Sequence, residues 1–593
     1  MTFTTRPEIT GTFGAVTSTH WIASAVGMGM LERGGNAFDA AVATGFTLQV
    51  VEPHLNGPGG EFPAIFRSAK TGKTEVLCAQ GTAPAGATIA HYRNEGLAQI
   101  PGSGLLATVI PGAFDGWMLL LRDHGTMSLR DVLEPAIRYA RHGHPILQRA
   151  ADTIADLAGF FTDHWPTSAH TWMPGGKAPT GGTLFANPVL ADTWERILSE
   201  AESVRGREAQ IEAARNAWSQ GFVAEAVDRF VKGTEAMDGS GQRHKGVLTG
   251  QDMAGWQASY EPPVSGDYRG WQVLKTGPWG QGPVMLQALA LLEGYDIAAM
   301  DPNGAEFIHL VIEAMKLAFA DREAYYGDPD VVDVPLEALL SAEHTAERAA
   351  LIGAIASAEQ RPSRLPGYEA LADGVLHRAA SLTGNRDAAE PTMAHLADRK
   401  GDTVHLDVID AEGNMISVTP SGGWLQSSPV IPELGFCLNS RAQMYWLEEG
   451  LNQSLRPGAR PRTTLTPSLA FGPDGEALAF GTPGGDQQDQ WQLVWFLHHV
   501  DHGMNLQEAI DAPLFHSQHF TGSFYPRSAM PGEMMIEESV GEEVISALRA
   551  KGHGVNLTPP WTAGRLTAAS RNHDGLIRAA ATPRLMQAYA IGR

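Results

Sequence analysis

A chain of 593 residues with 43% hydrophobic content is long enough for several average domains or one large layered one, and its composition argues against wholesale disorder. A net charge of −23, with no sustained Lys/Arg run, argues against a nucleic-acid partner. Cys78 and Cys437 stand far apart and in no CxxC pair, which excludes a disulfide scaffold and fits a reduced compartment.

Residues 1–16 lack a basic stretch followed by an apolar core, and no run of about eighteen apolar residues follows. No secretory leader, no membrane partner and a cytoplasmic location are therefore expected. Gly14-Ala15-Val16 leads into a small-residue helix over 21–31, and Gly34-Gly35-Asn36 is expected to end it. A second, Ala-rich helix starts near Asp39. Asn56-Gly57-Pro58-Gly59-Gly60 reads as a tight turn, followed by strands at 62–67 and 74–78. The texture from 128 to 232 is helical, broken by a Pro/Gly/Thr-rich loop at 173–183.

Strand signals return at 264–275, and helices follow at 285–292 and 309–326. The polar, Pro/Gly-spotted stretch 355–402 reads as exposed and mobile. Then Val404, Leu406 and Val408 alternate with Thr403, His405 and Asp407, the pattern of a half-buried strand. A turn at 411–414 and a strand at 415–419 complete a hairpin. Further strands are expected at 435–438, 468–471 and 477–480, and a helix through Trp491 and Val500. Strands in hairpins between helices favour a layered α/β sandwich over a parallel doubly wound sheet.

Several short patterns have a chemical reading. Thr403 at a strand start would be a nucleophile if the bond before it were cut, because its own α-amine could then act as its base. Most threonines at such places serve β propensity alone. Gly484-Gly485, between a strand and a helix, would let backbone N–H groups approach a developing oxyanion, with Asp486 as helix cap. His498, His499 and His502 lack the spacing of a metal site, and Asp321-Arg322-Glu323 reads as a solvated or structural ion-pair face. The chain has no Gly-x-Ser-x-Gly elbow, and Gly72-Lys73-Thr74 lacks the upstream glycine of a phosphate loop because residue 67 is Arg.

Taken together, Gly34 to Ala43, Val51-Glu52-Pro53 to Gly60, Ala83-Pro84-Ala85, Ser265 to Gly270, Ala318 to Arg322 with Gly327 to Asp330, Thr466-Pro467-Ser468, Gly481 to Gly485 and Ala512 to His516 resemble the γ-glutamyltransferase family of N-terminal-nucleophile hydrolases. The resemblance covers nearly the whole chain. It implies a four-layer αββα sandwich made as a zymogen that cuts itself between Asp402 and Thr403. The products would be a large chain, 1–402, and a small chain, 403–593, held as a heterodimer, with 355–402 as a pre-cleavage segment. Thr403 matches the family's nucleophile, and Ser421 a family Thr that hydrogen-bonds it. Gly484 and Gly485 match the oxyanion glycines, and Thr463 and Thr464 a serine pair that holds the donor carboxylate. No cofactor and no metal are implied; the partner is a small-molecule amide, with glutathione metabolism as the family's usual setting.

The departures fall in the specificity shell. Gln80 stands where the family has an Arg for the γ-glutamyl carboxylate, Met444 where it has an Asp for the ammonium, and Gly423 where it has an Asn. Losing a buried charged partner for a charged ligand group weakens recognition by several kcal/mol. Arg441, Gln443 and Asp486 are the candidate replacements for substrate binding, Arg441 as a partner for a carboxylate. The resemblance thus implies a γ-glutamyl hydrolase that favours water over an acceptor amine. Its alternatives are an amidohydrolase or acylase on another carboxylated amide, and an unprocessed pseudoenzyme that binds without catalysis.

Overall fold

The alternation at 404–408 becomes the strand Leu406–Asp410, which pairs with its own hairpin partner and with a strand from the start of the chain. It lies between Gly14–Ser18 and Met415–Val418, with Leu406 opposite both Ser18 and Val418. In the computed structural model, which describes residues 3–382, 403–586 and 588–593, that sheet has seven antiparallel strands. Their order is Tyr589–Gly592, Gly14–Ser18, Leu406–Asp410, Met415–Val418, Phe62–Arg67, Thr74–Ala79 and Ser259–Glu261. A second seven-stranded antiparallel sheet runs Ile9–Gly11, Ile577–Ala581, Thr567–Arg571, Ala477–Gly481, Ser468–Phe471, Trp271–Lys275 and Val264–Tyr268.

Small and aliphatic side chains let the sheets meet closely: Ala15, Ile65, Ile409 and Met415 pack on Leu274, Leu469, Ala479, Ala569 and Ala579. Val404, Leu406, Val408, Ile416 and Val418 pack outward on the helices Trp21–Glu32, Ala37–Val51 and Ala113–His124. On the far side, Val273, Ala470, Leu478, Phe480 and Ala568 pack on Pro283–Leu292, Ala305–Tyr325 and Gln488–Val500. The result is the four-layer αββα sandwich that the resemblance implies. No helix among the described residues is long and apolar enough to cross a membrane.

Four local expectations need correction. The strand from 404 is buried on both faces, because its polar face meets the second sheet: His405 and Asp407 are fully buried, and Thr567 Oγ1 donates to Asp407 Oδ2 at 2.7 Å. Asn36 does not end the first helix. It caps the second, accepting from the N–H groups of Phe38 and Asp39 while Asp39 Oδ2 accepts from Asn36 N at 2.9 Å. The strand expected at 435–438 yields only isolated bridges, Ile431 with Phe436 and Gly59 with Leu438. In the stretch 355–402 a helix, Glu369–Leu382, buries Ala372, Val375 and Ala379; residues 383–402, with Asp402, lie outside the described residues.

One buried acid gives the fold a pH dependence. Glu52, at the C-terminal cap of Ala37–Val51, is fully buried and accepts from Thr19 Oγ1 at 2.6 Å. Burial pushes its carboxyl from 4.5 up to about 8. The folded chain therefore holds a proton that the unfolded chain releases, so this contribution is full below about pH 4.5 and is lost as pH rises to about 8. Glu52→Gln is expected to flatten that part of a thermal-unfolding pH series. Parallel curves for the variant and the wild type would remove the claim.

Candidate active site

Thr403 stands three residues ahead of the strand Leu406–Asp410 and is 1% exposed. The next residue is pinned across the hairpin by Val404 N donating to Pro420 O at 3.0 Å. That places Thr403 Oγ1 3.1 Å from Ser421 Oγ. Ser421 is itself fixed by two backbone bonds with Glu61, each 2.9 Å. Its hydroxyl also accepts from Arg441 Nη2 at 2.8 Å, and Arg441 Nε donates to Glu61 Oε1 at 2.7 Å. Burial raises the Glu61 carboxyl, and the Arg441 guanidinium opposes the rise. Gly422 has φ of 73°, and a Cβ there would lie 2.5 Å from Glu61 Oε2, so only glycine fits above this pair.

Two residues past Thr403, the His405 ring bonds Asp407 Oδ1 through Nε2 and Thr419 Oγ1 through Nδ1, both at 2.9 Å. A Cβ on Gly481 would come within 2.2 Å of that ring. The strand Ala477–Gly481 thus ends against the hairpin, and Thr482-Pro483-Gly484-Gly485 leaves the sheet beside it. Gly484 and Gly485 have φ of 133° and 58° and open a short helical turn that runs into Gln488–Val500. The first N–H groups of a helix have no intrahelical partner and sit at its positive end, a suitable place for a developing oxyanion.

Asp486 differs from its expected role. It caps no helix end, because a guanidinium reaches it first: Oδ1 accepts from Arg322 Nη1 and from Ser523 Oγ at 2.6 Å, and Oδ2 from Ser523 N at 2.9 Å. Arg322 also donates to Gln281 Oε1 at 2.8 Å and Glu323 Oε1 at 2.9 Å, while Arg462 reaches Glu323 and donates to Ser523 Oγ at 2.7 Å. The Asp321-Arg322-Glu323 segment is therefore a buried ion network and not a solvated face. It ties the glycine loop to Arg462, the residue before the buried Thr463 and Thr464; Thr463 N donates to Trp279 O at 2.8 Å.

Arg441, expected as a cation open to a substrate carboxylate, is committed to Glu61 and Ser421. Gln443 turns to its own loop, with Nε2 donating to Ser440 O at 3.0 Å and Oε1 accepting from Tyr525 N at 3.1 Å. Gln80 is fully buried and donates to Gly81 O at 3.1 Å, leaving its Oε1 with no hydrogen-bond partner among the described residues. Met444 clusters with Trp424 and Phe524 in an apolar group. Gly423 has a backbone reason: a Cβ there would lie 2.9 Å from Gly60 N.

Away from this region, His309, Glu313 and His553 have the composition of a cation site. Both Glu313 oxygens are already taken by cations, Lys316 at 2.6 Å and Arg361 at 2.8 Å, which disfavours a metal there. Sequence reasoning missed Glu61, Arg462 and Ser523. A charge at 61, between two glycines and the apolar 62–66, was a signal that a buried partner must exist.

Comparison with known proteins gives consistent results. The family model described as Gamma-glutamyltranspeptidase matches residues 23–592. Acylase ACY 1 proenzyme of Pseudomonas sp. (strain SE83) is 31% identical over 589 residues, covering 97% of this chain and 93% of its own. The Glutathione hydrolase-like YwrD proenzyme of Bacillus subtilis (strain 168) is 29% identical over 586 residues, covering 97% and 98%. The solved structure of LmbA2991HD is 52% identical, with a TM-score of 0.93 and full coverage of both chains.

Proposed function

Because the chain belongs to the gamma-glutamyltranspeptidase family of N-terminal-nucleophile hydrolases, we propose that it is a self-cutting threonine amidohydrolase working through an acyl-enzyme. The bond before Thr403 breaks, dividing the protein into 1–402 and 403–593, which stay together as a heterodimer. The freed α-amine has an ordinary pKa of about 8, so a useful fraction is neutral at cellular pH. It takes the Thr403 hydroxyl proton as Oγ1 attacks the substrate amide carbon. The Gly484 and Gly485 N–H groups steady the tetrahedral oxyanion, the proton passes to the departing amine, and water then releases the acyl group. A β-branched nucleophile has few χ1 states, which limits the entropy lost in aiming it.

The observation that carries this reading is the 3.1 Å approach of Thr403 Oγ1 to Ser421 Oγ at the head of a buried strand. For the acyl donor, an acylase-type substrate is favoured over a γ-glutamyl one. Support comes from Met444, buried with Trp424 and Phe524, and from the neutral Gln80: neither offers a charge to a γ-glutamyl ammonium or carboxylate. Denaturing gels and intact mass test the cut; two chains are expected, and a full-length inert protein would end the proposal. A panel of N-acyl amides beside a γ-glutamyl anilide tests the donor. The anilide turning over best would overturn the acylase preference while leaving the mechanism standing.

A further inference from the structure

A Ser–Thr hydroxyl pair has no inherent polarity, since either oxygen can donate. Here the polarity is set from outside. Arg441 has donors only, and its Nη2 points at Ser421 Oγ from 2.8 Å. Arg441 can accept nothing in return, so among the described residues the acceptor within reach of the Ser421 hydrogen is Thr403 Oγ1. We infer that Arg441, locked by Glu61, is a positioning residue that makes Ser421 a hydrogen-bond donor to the nucleophile oxygen. The inference rests on the reading of Thr403 as the nucleophile.

The guanidinium is held for this task from every side. Its Nε and Nη2 both face Glu61 Oε1, at 2.7 and 2.6 Å, its Nη1 lies 3.7 Å from Met444 Sδ, and the Trp424 and Phe524 rings flank it at 5.8 and 5.9 Å. It is 3% exposed. A group so placed does not swing out to a ligand; it fixes its neighbour. Chemically, a Ser421 O–H aimed at Oγ1 leaves the Thr403 proton free to go to the α-amine as the new C–O bond forms. The same O–H, backed by a buried cation, stabilises the negative charge that grows on Oγ1 in deacylation, when water has added to the ester, the C–Oγ1 bond breaks and Oγ1 takes back a proton from the α-amine.

The test compares Arg441→Met, Ser421→Ala and the double variant, using the self-cutting rate and the kcat and KM for whichever panel amide the wild type turns over best. Arg441→Met should lower kcat and the cutting rate by about 100-fold. KM should stay within about threefold. The double variant should be no slower than Ser421→Ala alone, because Arg441 acts through Ser421. A raised KM with unchanged kcat would instead make Arg441 a substrate anchor, and additive losses would make it a separate structural element; either overturns the inference. If the lone Glu61 charge prevents Arg441→Met from folding, Glu61→Gln/Arg441→Met, which buries no unpaired charge, carries the same comparison. A wild type that never cuts itself overturns the parent reading; a wild type that cuts, beside an Arg441→Met variant that matches it, overturns this inference alone.

Discussion

Thr403→Ala is expected to stay one 593-residue chain and to lose amide turnover by about a million-fold. The magnitude follows from removing the only oxygen that forms the acyl bond, and the same oxygen makes the cut. Thr403→Ser keeps a hydroxyl and should still cut itself, more slowly, because serine has more χ1 freedom to lose. Neither change should unfold the protein. The site is buried among backbone bonds from Val404 and Ser421, and Ser421 keeps Arg441 as a partner when the Thr403 hydroxyl is gone. Circular dichroism and thermal unfolding verify the fold. A Thr403→Ala protein that still appears as two chains would assign the cut to another residue.

The second large effect is expected away from the nucleophile. Arg322→Met should destabilise the protein by about 3–5 kcal/mol, because it leaves Asp486 buried without its cation. Glu323 suffers less. Burial alone would raise its carboxyl, but Arg462 and Arg322 outweigh burial and hold it down to about 2, and Arg462 remains. The effect on turnover follows from position, since Asp486 is the residue after Gly485 and its side chain anchors that turn to Ser523. A loosened turn misaims the two glycine N–H groups, a loss of about 100-fold or more in kcat. Asp486→Asn/Arg322→Met, with no lone charge left, should recover part of the stability but not the turnover. Equal denaturant midpoints for Arg322→Met and the wild type would refute the account.

How much of this was legible in the sequence depends on the range of the interaction. The turn and strand at 411–418, the paired glycines after 477–480 and the Ala-rich helix ending near Val51 are local patterns, and they fold as local patterns predict. Asp486 was read as a cap because sequence shows only what is adjacent; its partner Arg322 is 164 residues away. Arg441 was read as open to substrate for the same reason, its partner Glu61 lying 380 residues upstream. The strand at 404–408 was read as half-buried because His405 and Asp407 are polar, and their solvent is in fact another sheet. The helix Glu369–Leu382 was missed among polar neighbours, although Ala372, Val375 and Ala379 hold helical spacing.

The order of strands has a mechanical consequence. Gly14–Ser18 sits between Tyr589–Gly592 and Leu406–Asp410; Phe62–Arg67 borders Met415–Val418; Trp271–Lys275 borders Ser468–Phe471; and Ile9–Gly11 borders Ile577–Ala581. A break before residue 403 would therefore part no sheet along a seam. The two pieces would share both sheets, with Gly14–Ser18 of the larger clasped between two strands of the smaller and the smaller's four-strand block flanked on both sides by strands of the larger, so dilution could not pull them apart without breaking both sheets. Scission would free an amine on Thr403 and a carboxyl group on Asp402 while breaking none of these strand pairings.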